Sequence, residues 1–188
     1  MKIRSFLFLL LTLPGLTLAQ FNDTQGHRYA SAIDALGERQ IVQGYPGNLF
    51  KPDQSITRAE LLKIILFAAN IERFPAEEAC FRDINVNERY AEVVCTAKAM
   101  GIVQGYPDGT FKPNQKVSLV EGLKMAIVGF RIETKESNSE RRYQKYLDFA
   151  HQHSIFSKYE FYPEQDLSRG MMAHLAIKLL EGQIAGWN

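Results

Sequence analysis

The hexapeptide Ile41-Val42-Gln43-Gly44-Tyr45-Pro46 recurs letter for letter as Ile102-Val103-Gln104-Gly105-Tyr106-Pro107, 61 residues further along the chain. The same offset pairs Phe50-Lys51-Pro52 with Phe111-Lys112-Pro113, Gln54 with Gln115, Glu60 with Glu121 and Tyr29-Ala30 with Tyr90-Ala91. A copied unit constrains the fold strongly, because each copy must bury its apolar face against its neighbours. A third, eroded copy follows, with Pro163 against Pro113, Gln165 against Gln115, and Ser168 against Ser118 and Thr57. Its loop is three residues shorter and lacks the Gly-Tyr-Pro triplet. Three units can stack as an open array or close into a ring.

Each unit has the same internal order. A first helix carries an apolar stripe: Tyr29/Ile33/Leu36, then Tyr90/Val94/Ala97, then Tyr143/Leu147/Ala150, all at helical spacing. A turn-rich loop comes next. Pro107-Asp108-Gly109 presets φ, bonds locally and accepts positive φ, and Asn48 serves the left-handed position of Pro46-Gly47-Asn48. Phe50, Phe111 and, by alignment, Phe161 are expected to pin the loops to the core. The second helices start after Thr57, Ser118 and Ser168, and Thr57-x-x-Glu60 and Ser118-x-x-Glu121 are capping boxes. These helices are apolar around much of their circumference, which places them centrally, and Gly182 is read as the C-cap of the third. Lys63, Lys124 and His174 share one equivalent position, read as a solvated edge. The expectation is an all-α protein of three helix–loop–helix repeats, 20–70, 80–130 and 143–182, around a central three-helix bundle. Segments 70–79 and 131–142 connect them.

Residues 1–19 read as an export signal. Lys2 and Arg4 precede an apolar run from Phe6 to Leu13, a Pro14-Gly15 break, and Thr17-Leu18-Ala19 before a cleavage site at Gln20. The apolar run is shorter than the roughly 20 residues of a membrane span. Without Lys2 and Arg4 the chain holds 20 basic and 21 acidic residues, a net charge of −1. That balance provides no footprint for nucleic acid and no polybasic membrane patch. In an exported chain the only two cysteines, Cys80 and Cys95, are expected to form a disulfide; the alternative is two separate buried thiols.

Phe21-x-Asp23, Gly44-Tyr45-Pro46, Phe50-x-Pro52 and Ile56-Thr57-Arg58-Ala59-Glu60 resemble the S-layer homology domain, as do Phe81-x-Asp83 and the run from Gly101 to Pro113. The resemblance implies a three-repeat pseudo-trimer whose inter-repeat grooves hold cell-wall polysaccharide, often a secondary polymer ending in a pyruvylated amino sugar. It implies glycan contacts from Arg58, Gly44, Tyr29 and Asp23, and from Gly105, Tyr90, Asp83 and Arg169. Each has a plainer reading. The glycines serve the loops, the tyrosines pack in the core, the aspartates cap helices, and Arg58 is an ordinary surface arginine. Thr57, Glu60, Ser118 and Glu121 are assigned to capping. Arg58 beside a helix N-terminus suits a carboxylate, which both the guanidinium and the macrodipole attract.

The repeats also depart from the pattern. Leu119 replaces the arginine in repeat two, and repeat three has Gly170-Met171 in place of Ala-Glu, which makes Arg169 the weaker site. There is no Gly-x-Ser-x-Gly elbow and no His-Glu-x-x-His helix, and His151 and His153 diverge at a spacing of two. The chain is therefore read as no enzyme, with no cofactor and no metal. Its expected partner is a cell-wall polysaccharide or peptidoglycan-linked polymer at the cell surface. The competing reading is an envelope interaction protein that keeps the fold and has lost glycan binding.

Overall fold

A computed structural model describes residues 21–136, 143–157 and 162–187. The export signal with its cleavage site and Phe161 lie outside them. Six helices follow in order: α1 (Ala30–Glu38), α2 (Arg58–Ala68), α3 (Ala91–Ala99), α4 (Leu119–Gly129), α5 (Gln144–Gln152) and α6 (Arg169–Ile184). Extended pairing among the described residues is limited to isolated bridges, so the protein is mainly helical.

The long helices α2, α4 and α6 each pack against the other two, through buried positions such as Leu61, Leu62 and Ile65, Leu123 and Ile127, and Leu175 and Leu179. Each short helix lies on the long helix of the preceding repeat. Thus α3 packs on α2, α5 on α4, and α1, the first in the chain, on α6, the last. The residues just before the three caps complete the arrangement. Ile56 N–H donates to Leu167 O at 2.9 Å, Leu167 N–H to Val117 O at 2.9 Å, and Val117 N–H to Ile56 O at 3.2 Å. All three side chains are fully buried, so this ring of backbone bonds is shielded from water.

The caps form as the sequence predicts. Thr57 and Ser118 accept from the amides of Glu60 and Glu121, whose carboxylates bond back to the cap amides, while Ser168 accepts from Met171 N–H. Cys80 and Cys95 are joined, with Cα atoms 5.5 Å apart, tying the entry loop of repeat two to α3.

Four expectations need correction. Gly182 is not a C-cap, since α6 continues to Ile184. The left-handed residue is Gly186 at φ +84°, with Gly186 N–H on Gln183 O and Trp187 N–H on Gly182 O, a Schellman closure. Gly182 lacks a side chain because the Trp187 indole lies on it. The stripe of α5 is rotated: Tyr146, Phe149 and Ala150 are buried, and Tyr143 and Leu147 only partly. The shared position of Lys63, Lys124 and His174 is solvated only at Lys63. His174 is half-buried, 2.7 Å from Ile155 O, and burial pushes its pKa below the ordinary histidine value.

Finally, Asp23 and Asp83 cap no helix. Asp23 accepts from the amides of Phe50 and Lys51, both at 2.7 Å, and Asp83 likewise from Phe111 and Lys112. Lys51 and Lys112 sit at φ +59° and +61°, a left-handed conformation costly for lysine. Two charge-assisted bonds at that point hold each loop in shape. Burial raises the pKa of Asp23, but the Phe50 and Lys51 amides, with its own amide and the Arg169 charge, outweigh it and leave the carboxyl below its ordinary value.

Candidate ligand-binding site

The arginines of one repeat work on the loop of the next. Arg58, at the start of α2, is 7% exposed; its Nε donates to Phe111 O at 3.0 Å, and its guanidinium lies over the Tyr106 and Phe111 rings, 5.1 and 4.7 Å from their centroids. Arg169, at the start of α6, is 5% exposed and repeats this on the first loop. Its Nε donates to Phe50 O at 2.8 Å, its Nη2 to Gln43 O at 3.5 Å, and it covers Tyr45 and Phe50. Neither is an ordinary surface arginine.

The amides at the helix starts are already engaged. Arg58 and Ala59 N–H donate to Gln115 O and Pro113 O, and Arg169 and Gly170 N–H to Gln54 O and Pro52 O. With the cap side chain taking the next amide, the α2 terminus presents no free backbone donors to an anion. The macrodipole therefore offers an anion nothing at this end of α2, and only the Arg58 side chain remains. Arg58 has no carboxylate within ion-pairing range among the described residues, and its two Nη nitrogens make no hydrogen bond to them. Buried charges are ordinarily paired, so this guanidinium is one partner short.

Arg58 opens onto a cleft of about 390 Å³ built by all three repeats. Repeat one supplies Arg58; repeat two supplies Gln104, Gly105 and Tyr106 with Glu121 and Lys124; repeat three supplies Tyr143. Two cations, a carboxylate, two phenols and an exposed loop backbone fit noncovalent recognition of a polar, acidic ligand. Among the described residues no group of metal-ligating side chains comes together.

Of the predicted site residues, the structure brings Arg58 and Gly105 to one cleft and Arg169 to the loop carrying Gly44. The missing side chains of the glycines do not make room for a ligand. A Cβ on Gly44 would meet Phe21 Cε1 at 2.6 Å, and one on Gly105, at φ +75°, would overlap Phe81. These loops need glycine because the Phe-x-Asp phenylalanine packs beneath them. Tyr29 is half-buried, stacked against His174 at 5.2 Å, where it narrows the groove of repeat three. Asp83 and Tyr90 lie elsewhere, and the Tyr90 phenol, hydrogen-bonded to Glu88 and partly buried, is pushed up to about 12. Sequence reasoning missed Tyr106 and Tyr143 and assigned Lys124 to a solvated edge. Their signal was present in the repeat alignment, since each recurs at its equivalent position.

The model of the S-layer homology domain matches residues 20–62 and 81–119. A "Cellulosome-anchoring protein" of Acetivibrio thermocellus is 32% identical over 112 residues, covering 56% of this chain and 24% of that protein. A "Surface layer protein" of Brevibacillus choshinensis is 30% identical, covering 59% and 10%. The "Exoglucanase XynX" of Acetivibrio thermocellus is 31% identical, covering 63% and 11%. This chain thus spans a quarter or less of the length of these relatives, and the enzyme shares only that fraction. The similarity to the S-layer homology domain thus lies in residues 20–62 and 81–119, and proteins sharing it include cellulosome-anchoring and surface-layer proteins.

Proposed function

We propose that this protein is a noncovalent cell-surface anchor that binds an acidic cell-wall polymer through the cleft at Arg58. The observation that carries the reading is a buried guanidinium facing a polar cleft, whose two Nη nitrogens have no hydrogen bond and no neutralising carboxylate among the described residues. A bidentate carboxylate supplies both the charge and the two acceptors. A pyruvyl ketal on a terminal amino sugar is the form of carboxylate we favour. The similarity to a cellulosome-anchoring protein and to a surface layer protein supports the same setting. In this reading residues 1–19 are removed on export, and repeats 20–70, 80–130 and 143–182 act as a pseudo-threefold ring.

The three grooves are unequal. The second loop pairs with Arg58 and the first with Arg169, while the third faces Leu119, whose amide donates to Gln165 O. That third groove is narrowed by Tyr29, His174 and Phe156. The protein therefore offers two arginine-bearing sites.

The test is sedimentation of the mature protein with cell-wall sacculi of its own source. Cosedimentation with untreated sacculi, and loss of it after acid extraction of the secondary polymer, is the expected result. Equal sedimentation with both would place the ligand on the peptidoglycan, and none with either would leave the fold as an envelope interaction module.

A further inference from the structure

Tyr45 and Tyr106 occupy the same place in two repeats, each within the hexapeptide Ile-Val-Gln-Gly-Tyr-Pro, yet their hydroxyls differ. The Tyr45 hydroxyl donates to Glu60 Oε1 at 3.4 Å and accepts from Gln54 Nε2 at 3.5 Å. The Tyr106 hydroxyl is buried and has no hydrogen-bond partner among the described residues. Glu121, the counterpart of Glu60, uses Oε2 for the Ser118 cap, and its Oε1 makes no bond to them. Tyr106, Glu121 and Arg58 all line the same cleft, with the guanidinium 5.1 Å from the Tyr106 ring centroid.

A buried hydroxyl without a partner is costly in a folded protein, and such atoms are uncommon. Where the same side chain in a sister repeat is satisfied internally, the difference is specific to the second loop. Resting on the anchoring function above, we propose that Tyr106 and Glu121 form a donor–acceptor couple held open for the ligand. It reads a neutral hydroxyl or amide of the same sugar unit whose acidic group sits on Arg58. The Tyr45–Glu60 bond closes the first-loop groove to that reading, so the two arginine grooves differ in selectivity: the first recognises charge alone, and the second recognises charge together with a neutral polar group.

A pair of single-atom deletions separates this from a structural role. Binding isotherms are measured for the full mature protein on polymer-bearing sacculi, with acid-extracted sacculi as the blank, and thermal melts are recorded for the same samples. Tyr106→Phe should bind about tenfold more weakly, the loss of one hydrogen bond in a closed site, while melting no lower than the parent. Tyr45→Phe should melt lower, having lost an internal bond, and bind within about twofold of the parent. Parent-like binding by Tyr106→Phe, or an equal loss by Tyr45→Phe, overturns the inference and leaves anchoring through Arg58 intact. A lower melt for Tyr106→Phe also overturns it, since the hydroxyl would then be serving the fold. A parent that ignores polymer-bearing sacculi overturns the anchoring function itself.

Discussion

Arg58 Nε donates to the carbonyl oxygen of Phe111 at 3.0 Å, so a side chain of the first repeat closes the loop of the second. Arg169 does the same to Phe50 at 2.8 Å, across from the third repeat to the first. This displacement by one repeat changes how the eroded positions are understood. Leu119, which has lost the arginine, and repeat three, which has lost the Gly-Tyr-Pro loop, are separate defects in sequence. In space Leu119 meets the segment that follows that loop, through the bond from Leu119 N–H to Gln165 O. Erosion is confined to one groove, and the other two keep both of their parts.

Leu119 is fully buried, so Leu119→Ala should cost about 2–5 kcal/mol of stability through lost transfer energy and the cavity left behind. Sacculus binding by the folded fraction should match the parent. Chemical denaturation together with sedimentation at a temperature where the variant is folded checks both parts.

Asp23→Asn should destabilise the protein by roughly 1–2 kcal/mol at neutral pH, allowing for solvent screening of a partly exposed group. The Asp23 carboxyl is held below its ordinary value, so its contribution is complete above the unfolded pKa of about 3.9 and disappears as pH falls through the lower folded value. Stability curves of parent and variant should therefore converge in acid. Urea titrations from pH 7 down to pH 3 would show it, and a constant gap would mean that charge is not what Asp23 contributes.

Reduction of the Cys80–Cys95 bond should lower stability by about 3 kcal/mol, the chain-entropy value for a 15-residue separation. The native protein should show no thiol to a labelling reagent until it is reduced. Because the bond lies in repeat two alone, Cys80→Ser/Cys95→Ser should reduce stability without altering affinity for sacculi.

Much of the fold was legible in the sequence because repetition made local signals reinforce one another. Thr57/Glu60 and Ser118/Glu121 mark helix starts by chemistry confined to four residues, and both boxes form. Phe50 and Phe111 are fully buried, as loop pins should be. What sequence could not reveal depends on which repeat touches which. Arg58 read as an exposed side chain at a helix start, because its stacking partners Tyr106 and Phe111 lie about fifty residues away. The Asp23 carboxylate sits near a helix start in sequence, but its acceptors serve Phe50 and Lys51, a tertiary contact that outcompetes the local cap. Gly182 resembled a helix stop until Trp187 was seen to lie on it.

The most direct measurement is the affinity of Arg58→Ala and of Arg58→Lys for polymer-bearing sacculi, with a thermal melt to establish that each is folded. A charge-assisted bidentate contact contributes about 1.5–3 kcal/mol, so Arg58→Ala should bind roughly 10- to 150-fold more weakly. Arg58→Lys should recover only part of that loss, because an ammonium restores the charge but not the fork. Folded Arg58→Ala that binds as tightly as the parent would contradict the account, since the guanidinium facing the cleft, unpaired among the described residues, would then have no ligand to meet.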